Sequence, residues 1–150
     1  MHRLAIPLCL ALAAISLAGC SLIRPTESWV EMGADGDAVP LSETIVVFVA
    51  QSVPVAGGAA IILAAPPATQ AANLVSLQVR EKLEARGYTI AAGDAAARHR
   101  LRYLISTYGN GIILRITLDE TEASVLFARD SGGLLRAGAP LAMRQNGKVL

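Results

Sequence analysis

The chain has 150 residues, of which 53% are hydrophobic and 4% aromatic, with a formal net charge of +1. That length holds one domain with room for a short tail. The near-neutral balance leaves no electrostatic footprint for nucleic acid, and the scarcity of aromatics argues against binding by base stacking.

Met1-His2-Arg3 is a short basic start, and residues 4–15, LAIPLCLALAAI, are almost wholly apolar. A bilayer-spanning helix needs about 20 apolar residues. This run has instead the length of a signal-peptide core, and Ala18 and Gly19 supply the small residues a peptidase requires. Leu17-Ala18-Gly19-Cys20 resembles the lipobox of bacterial lipoproteins. The resemblance implies that Cys20 carries a diacylglycerol on its sulfur, that residues 1–19 are removed as a signal peptide, and that the new amino group is acylated. The alternative is an ordinary signal peptide with a chance cysteine. Each buried methylene contributes about 0.8 kcal/mol, so several acyl chains on one residue anchor durably where one is marginal. In enterobacterial lipoproteins an aspartate after the cysteine favours the inner membrane; Ser21 stands here. The expected location is therefore the outer membrane, lipid-anchored and facing the periplasm. Cys9 leaves with the signal and Cys20 is capped, which excludes disulfides, cysteine catalysis and thiolate metal sites from the mature chain.

After Cys20, residues 21–40 hold two prolines, two glycines, four acidic residues and one arginine with no sustained period. They read as a flexible tether, so residues 20–40 are assigned to the lipidated cysteine and its linker. Trp29 is the oddity, flanked by Val30 and Met32. It either folds back on the domain, lies among lipid headgroups, or, with Val30 and Met32, anchors into a partner protein, since tryptophan is enriched at interface hot spots.

The folded domain is expected over 41–150. Residues 41–53 favour a helix, with Ser42 as its cap and Glu43 in its first turn, although Ile45, Val46, Val47, Phe48 and Val49 lean towards a strand. Gly57-Gly58 reads as a turn and 59–64 as a short buried strand. Residues 70–86 give the clearest helix, capped by Thr69. Ala72, Val75, Val79 and Leu83 form its apolar face, joined by Leu74 and Leu77, and Gly87 takes the left-handed cap. Tyr88, Thr89 and Ile90 begin a strand.

The last third predicts antiparallel sheet. Leu101, Tyr103 and Ile105 alternate with Arg100, Arg102 and Ser106; Gly109-Asn110-Gly111 is a hairpin signal. Leu114, Ile116 and Leu118 alternate with Ile113, Arg115 and Thr117. Residues 123–129 give a further strand after an acidic turn, and 134–144 a broken edge strand. The predicted fold is α+β: a two-layer domain with one or two helices packed on a mostly antiparallel sheet.

The chain contains no phosphate loop, HExxH, CxxC or GxSxG motif, so neither an enzyme nor a cofactor is expected. His99 lies among Arg98, Arg100 and Arg102. A solvated strand face is the leading reading, ahead of a polyanion contact or a metal ligand. Asp119, Glu120 and Glu122 lack the spacing of a calcium loop, and no metal site is expected.

Glu84-Ala85-Arg86-Gly87-Tyr88, Tyr103-Leu104, Leu114-Arg115-Ile116-Thr117-Leu118 and Arg136-Ala137-Gly138, on a lipobox chain of this length, resemble the conjugal transfer lipoprotein family TrbH. The resemblance implies a structural lipoprotein in the mating-pair apparatus of a conjugative type IV secretion system. Its partners would be other secretion-system proteins of the outer-membrane complex, with no direct nucleic acid contact and no small-molecule substrate. Two other readings fit the same residues: an auxiliary envelope lipoprotein of lipopolysaccharide or lipid transport, and a small ligand-binding lipoprotein.

Overall fold

The structure is a computed structural model that describes residues 27–31, 35–55, 59–66, 70–93, 99–138, 142–146 and 148–149. The signal peptide, Cys20, Met32, the Gly57-Gly58 turn and Thr69 lie outside the described residues.

Helix α1 (Ala38–Ser52) settles the ambiguous segment in favour of a helix and begins earlier than expected, after a 3₁₀ turn over Asp35–Asp37. Pro40 fits because the first turn of a helix has no intrahelical acceptors for its N–H groups. The β-branched run is overridden by burial: Leu41, Ile45, Val46, Phe48 and Val49 are all fully buried, at spacings that one helical face provides. Ser42 does not cap α1. It lies inside the helix, fully buried, with Oγ 2.9 Å from the Val39 carbonyl and 3.0 Å from Gln78 Oε1. Asp37 stands at the cap position without a side-chain cap bond, because its carboxylate pairs instead with the Arg129 guanidinium, one contact at 3.0 Å.

Helix α2 (Gln70–Ala85) buries Val75, Val79 and Leu83 completely, as the spacing predicts. Leu77 departs from that prediction and is 51% exposed. Gly87 ends the helix at φ +91°. Its N–H donates to the Glu84 carbonyl and that of Tyr88 to the Leu83 carbonyl. These are the paired bonds of a Schellman cap, with Tyr88 and Leu83 packed in the same core. The Tyr88 hydroxyl donates to the Val53 carbonyl at 2.6 Å, tying the end of α2 to the end of α1. On the outer side Lys82 Nζ meets Glu43 Oε2 at 2.6 Å and holds the Glu43 carboxyl below its usual range.

The fold is α+β, but the sheet predominates. Nine strands lie among the described residues: β1 (Trp29–Val30), β2 (Ala60–Leu63), β3 (Thr89–Ile90), β4 (His99–Tyr108), β5 (Gly111–Leu118), β6 (Thr121–Arg129), β7 (Leu135–Ala137), β8 (Ala142–Gln145) and β9 (Lys148–Val149). The order is β3-β2-β4-β5-β6-β8-β9, with β1 also on β4 and β7 also on β6. From β4 onward every pairing is antiparallel, through two-residue turns at Gly109-Asn110 and Asp119-Glu120. The N-terminal part is parallel: β2 pairs in parallel with β3 and β4, and β1 with β4. The link from β2 through α2 to β3 is thus a crossover unit, which parallel neighbours require. The predicted edge strand at 134–144 is two strands, β7 and β8, both on β6.

The expected tether to Pro40 is corrected at two places. Residues 38–40 belong to α1, and Trp29–Val30 is a strand of the sheet, so the domain begins before residue 41. Parallel pairing on β4 is reinforced by Glu31 N–H donating to the Ile105 carbonyl at 2.7 Å, and by Tyr103 N–H donating to Ser28 Oγ at 3.2 Å.

One face of the sheet and the apolar faces of both helices form a single core. Tyr103 is its largest fully buried side chain. Its hydroxyl has no hydrogen-bond partner among the described residues, although Ser76 of α2 approaches it, and burial pushes the phenol up to about 12. Gly111 opens β5 where the backbone of β6 presses closest. A Cβ there would stand 2.1 Å from the Phe127 carbonyl oxygen, which no side chain can share.

Candidate contact surface

The helices cover one face of the sheet, and the period of two places a second set of side chains on the other. Register then decides which of them meet. Trp29 lies beside Leu104, Leu104 opposite Arg115, Arg115 opposite Ser124, and Ser124 opposite Ala142. A second row runs Arg102, Thr117, Glu122, Arg144. A third holds Ser106, Ile113 and Leu126. Trp29 is 54% and Leu126 39% exposed, whereas Leu104 and Ile113 are half-buried.

Two shallow depressions mark this face. One of about 300 Å³ is lined by Arg115, Glu122, Ser124, Ala142 and Arg144. The other, about 170 Å³, is lined by Leu104, Ser106, Ile113 and Arg115. Arg115 is common to both. Among the described residues neither Arg115 nor Arg144 makes an ion pair or a side-chain hydrogen bond. Arg102 Nη2 reaches Thr117 Oγ1 at 3.4 Å. Such a surface combines apolar area, a hydroxyl and uncommitted guanidinium groups. It is suited to a broad contact with an anionic or amphipathic surface.

Of the sequence-expected contact residues, Trp29 is presented outward. Val30 is not: it points into the core at 8% exposure, because strand alternation sends neighbours to opposite faces. Val30 is therefore corrected from a partner contact to a core residue. His99 is half-buried, and its Nδ1 lies 2.7 Å from Asp119 Oδ2, while Asp119 Oδ1 accepts the Arg100 backbone N–H at 2.8 Å. Asp119 thus clamps the start of β4 to the β5–β6 turn. Among the described residues no group of three or more His, Cys, Asp and Glu is placed to hold a metal ion, and no helix is long and apolar enough to cross a membrane.

Arg115 and Arg144 were not singled out in the sequence. The position of Arg115 was legible there, because a two-residue turn at 109–110 puts residue 104 opposite 115. Arg144 depends on the long-range pairing of β8 with β6, which no local signal carries.

The family described as "Conjugal transfer protein TrbH" matches residues 37–146, most of the chain and nearly all of the sheet. The protein belongs to the TrbH family. No curated protein and no solved structure matches it. The TrbH match starts at Asp37, the residue that pairs with Arg129, and runs through the end of β8. The outer face from β4 to β8 is thus part of the TrbH region, and Trp29 on β1 lies just before it.

Proposed function

We propose that this TrbH protein is a lipoprotein of the outer membrane, anchored through Cys20, facing the periplasm, and acting as a structural component of the mating-pair apparatus of a conjugative type IV secretion system. Its role is scaffolding rather than catalysis, and its partners are other transfer proteins of the envelope complex. The carrying observation is family membership over residues 37–146. Leu17-Ala18-Gly19-Cys20 stands ahead of that region and supplies the attachment chemistry. Ser21 favours the outer membrane. The long exposed face of the sheet suits a protein that works by contact.

Labelling cells with radioactive palmitate tests the anchor. The wild-type chain should carry label and fractionate with outer membrane, and Cys20→Ser should lose both. Continued labelling of Cys20→Ser, or an inner-membrane location of the wild type, would contradict this assignment.

A further inference from the structure

We propose that the outer face of the sheet, with Trp29 on β1, Arg115 on β5 and Arg144 on β8, seats on the anionic phospholipid headgroups of the membrane that holds Cys20. The proposal rests on the lipid-anchor reading above and adds to it a defined orientation of the domain.

Trp29 is the only tryptophan of the chain and is 54% exposed, yet its position is fixed. Ser28 and Val30 on either side are buried; the Ser28 hydroxyl accepts the Tyr103 N–H of β4, and the Glu31 N–H donates to the Ile105 carbonyl. The indole is therefore held outward by a rigid strand rather than carried on a loose one. A ring with an apolar body and a polar N–H is suited to the headgroup region, where tryptophan concentrates.

The same face supplies the charge. On β4, β5, β6 and β8 it carries Arg102, Arg115 and Arg144 against Glu122, while beside Trp29 the exposed Glu31 carboxylate accepts a hydrogen bond from Thr107 Oγ1 at 3.3 Å. Arg115, Arg144 and Ser124 line the depression of about 300 Å³, and Glu122 lines it too. Two planar guanidinium groups and a hydroxyl around a shallow hollow match the oxygens of a phosphodiester. Each basic side chain near an anionic leaflet strengthens attachment by about fivefold.

Chain length provides the third argument. Trp29 follows Cys20 by nine positions, so the extended segment reaches at most about 30 Å. An anchored Cys20 thus keeps β1 and its face near the bilayer. Attachment of the face becomes an intramolecular step that a modest affinity can drive.

Because Trp29 is the sole tryptophan, its fluorescence reports the seating. Mature acylated protein, beginning at Cys20, would be reconstituted into vesicles of phosphatidylcholine alone, or with phosphatidylglycerol, each with and without acyl chains brominated near the headgroup. Flotation reads the anchor, and Trp29 emission reads the face. With phosphatidylglycerol, emission should shift to the blue and be quenched by the brominated lipid. Arg115→Ala combined with Arg144→Ala should still float and melt as the wild type does, but lose most of the quenching. High salt should do the same.

Protein that floats while its emission stays that of a water-exposed indole would overturn the proposal and leave the anchor standing. Protein that fails to float would overturn both. Quenching by an added single-stranded oligonucleotide, or a blue shift only on addition of the outer-membrane secretion proteins, would assign the face to nucleic acid or protein and overturn the lipid assignment.

Discussion

Tyr103 is the residue where packing and polarity conflict most openly. Its ring fills the centre of the core, opposite Ile116 in the sheet, while its hydroxyl is buried without a hydrogen-bond partner among the described residues. A buried donor left unsatisfied costs about 1–3 kcal/mol. Tyr103→Phe should therefore be neutral or stabilising by up to about 1 kcal/mol in a denaturant titration. A clear loss of stability would show that the hydroxyl is bonded after all. The same group sets an alkaline limit. Its pKa is raised from 10.0 to about 12, so the folded state holds the proton more tightly than the unfolded chain. The contribution of this group to stability is complete below about pH 10 and is lost as pH rises towards 12. Tyr103→Phe should lack that part of the alkaline loss, measured as melting temperature against pH. Asp37 and Arg129 show the opposite arrangement, a carboxylate almost fully buried with its cation supplied from the far end of β6.

Of the two helices among the described residues, α2 is the more legible in the sequence and α1 the less. Val75, Val79 and Leu83 all fall on the buried side of α2, and Arg80 on the exposed side. Leu83→Ala should cost about 2–5 kcal/mol, while Arg80→Ala should stay within about 0.5 kcal/mol. Equal losses in parallel urea titrations would mean that the helix face is misassigned. The three long strands were equally readable, because alternation and turn residues act locally: Gly109-Asn110 and Asp119-Glu120 fix the register of β4, β5 and β6. Segment 38–52 was harder, since its β-branched run pulls one way and its length the other, and only the α1–α2 packing decides. Ser42 misled as a cap for the same reason: its hydroxyl is used against Gln78, 36 positions along the chain. Strand β1 was not legible at all. Two residues carry no period, and they join the sheet only because β4 offers an unpaired edge next to β2. The stretch expected as a linker is there part of the fold, and Trp29 has a fixed direction on β1.

At the scale of the whole molecule, the domain has two unlike faces. The helix-covered face holds the core, and the other face carries Trp29, Arg102, Arg115 and Arg144. Membership of the TrbH family ties that domain to conjugal transfer. Cys20, if acylated, ties it to a membrane about 30 Å or less from β1. A lipid-anchored scaffold should tolerate loss of folding contacts poorly and loss of its anchor no better, because an unanchored domain no longer stands where its partners are. The decisive experiment is a mating assay with a clean deletion of this gene in the donor, complemented in trans with the wild type or with Cys20→Ser, with periplasmic protein levels matched by immunoblot. The wild type should restore conjugation frequency, and Cys20→Ser should leave it near that of the deletion. Full restoration by Cys20→Ser at equal protein level, or a deletion that transfers as well as the parent, would contradict a lipid-anchored role in conjugation.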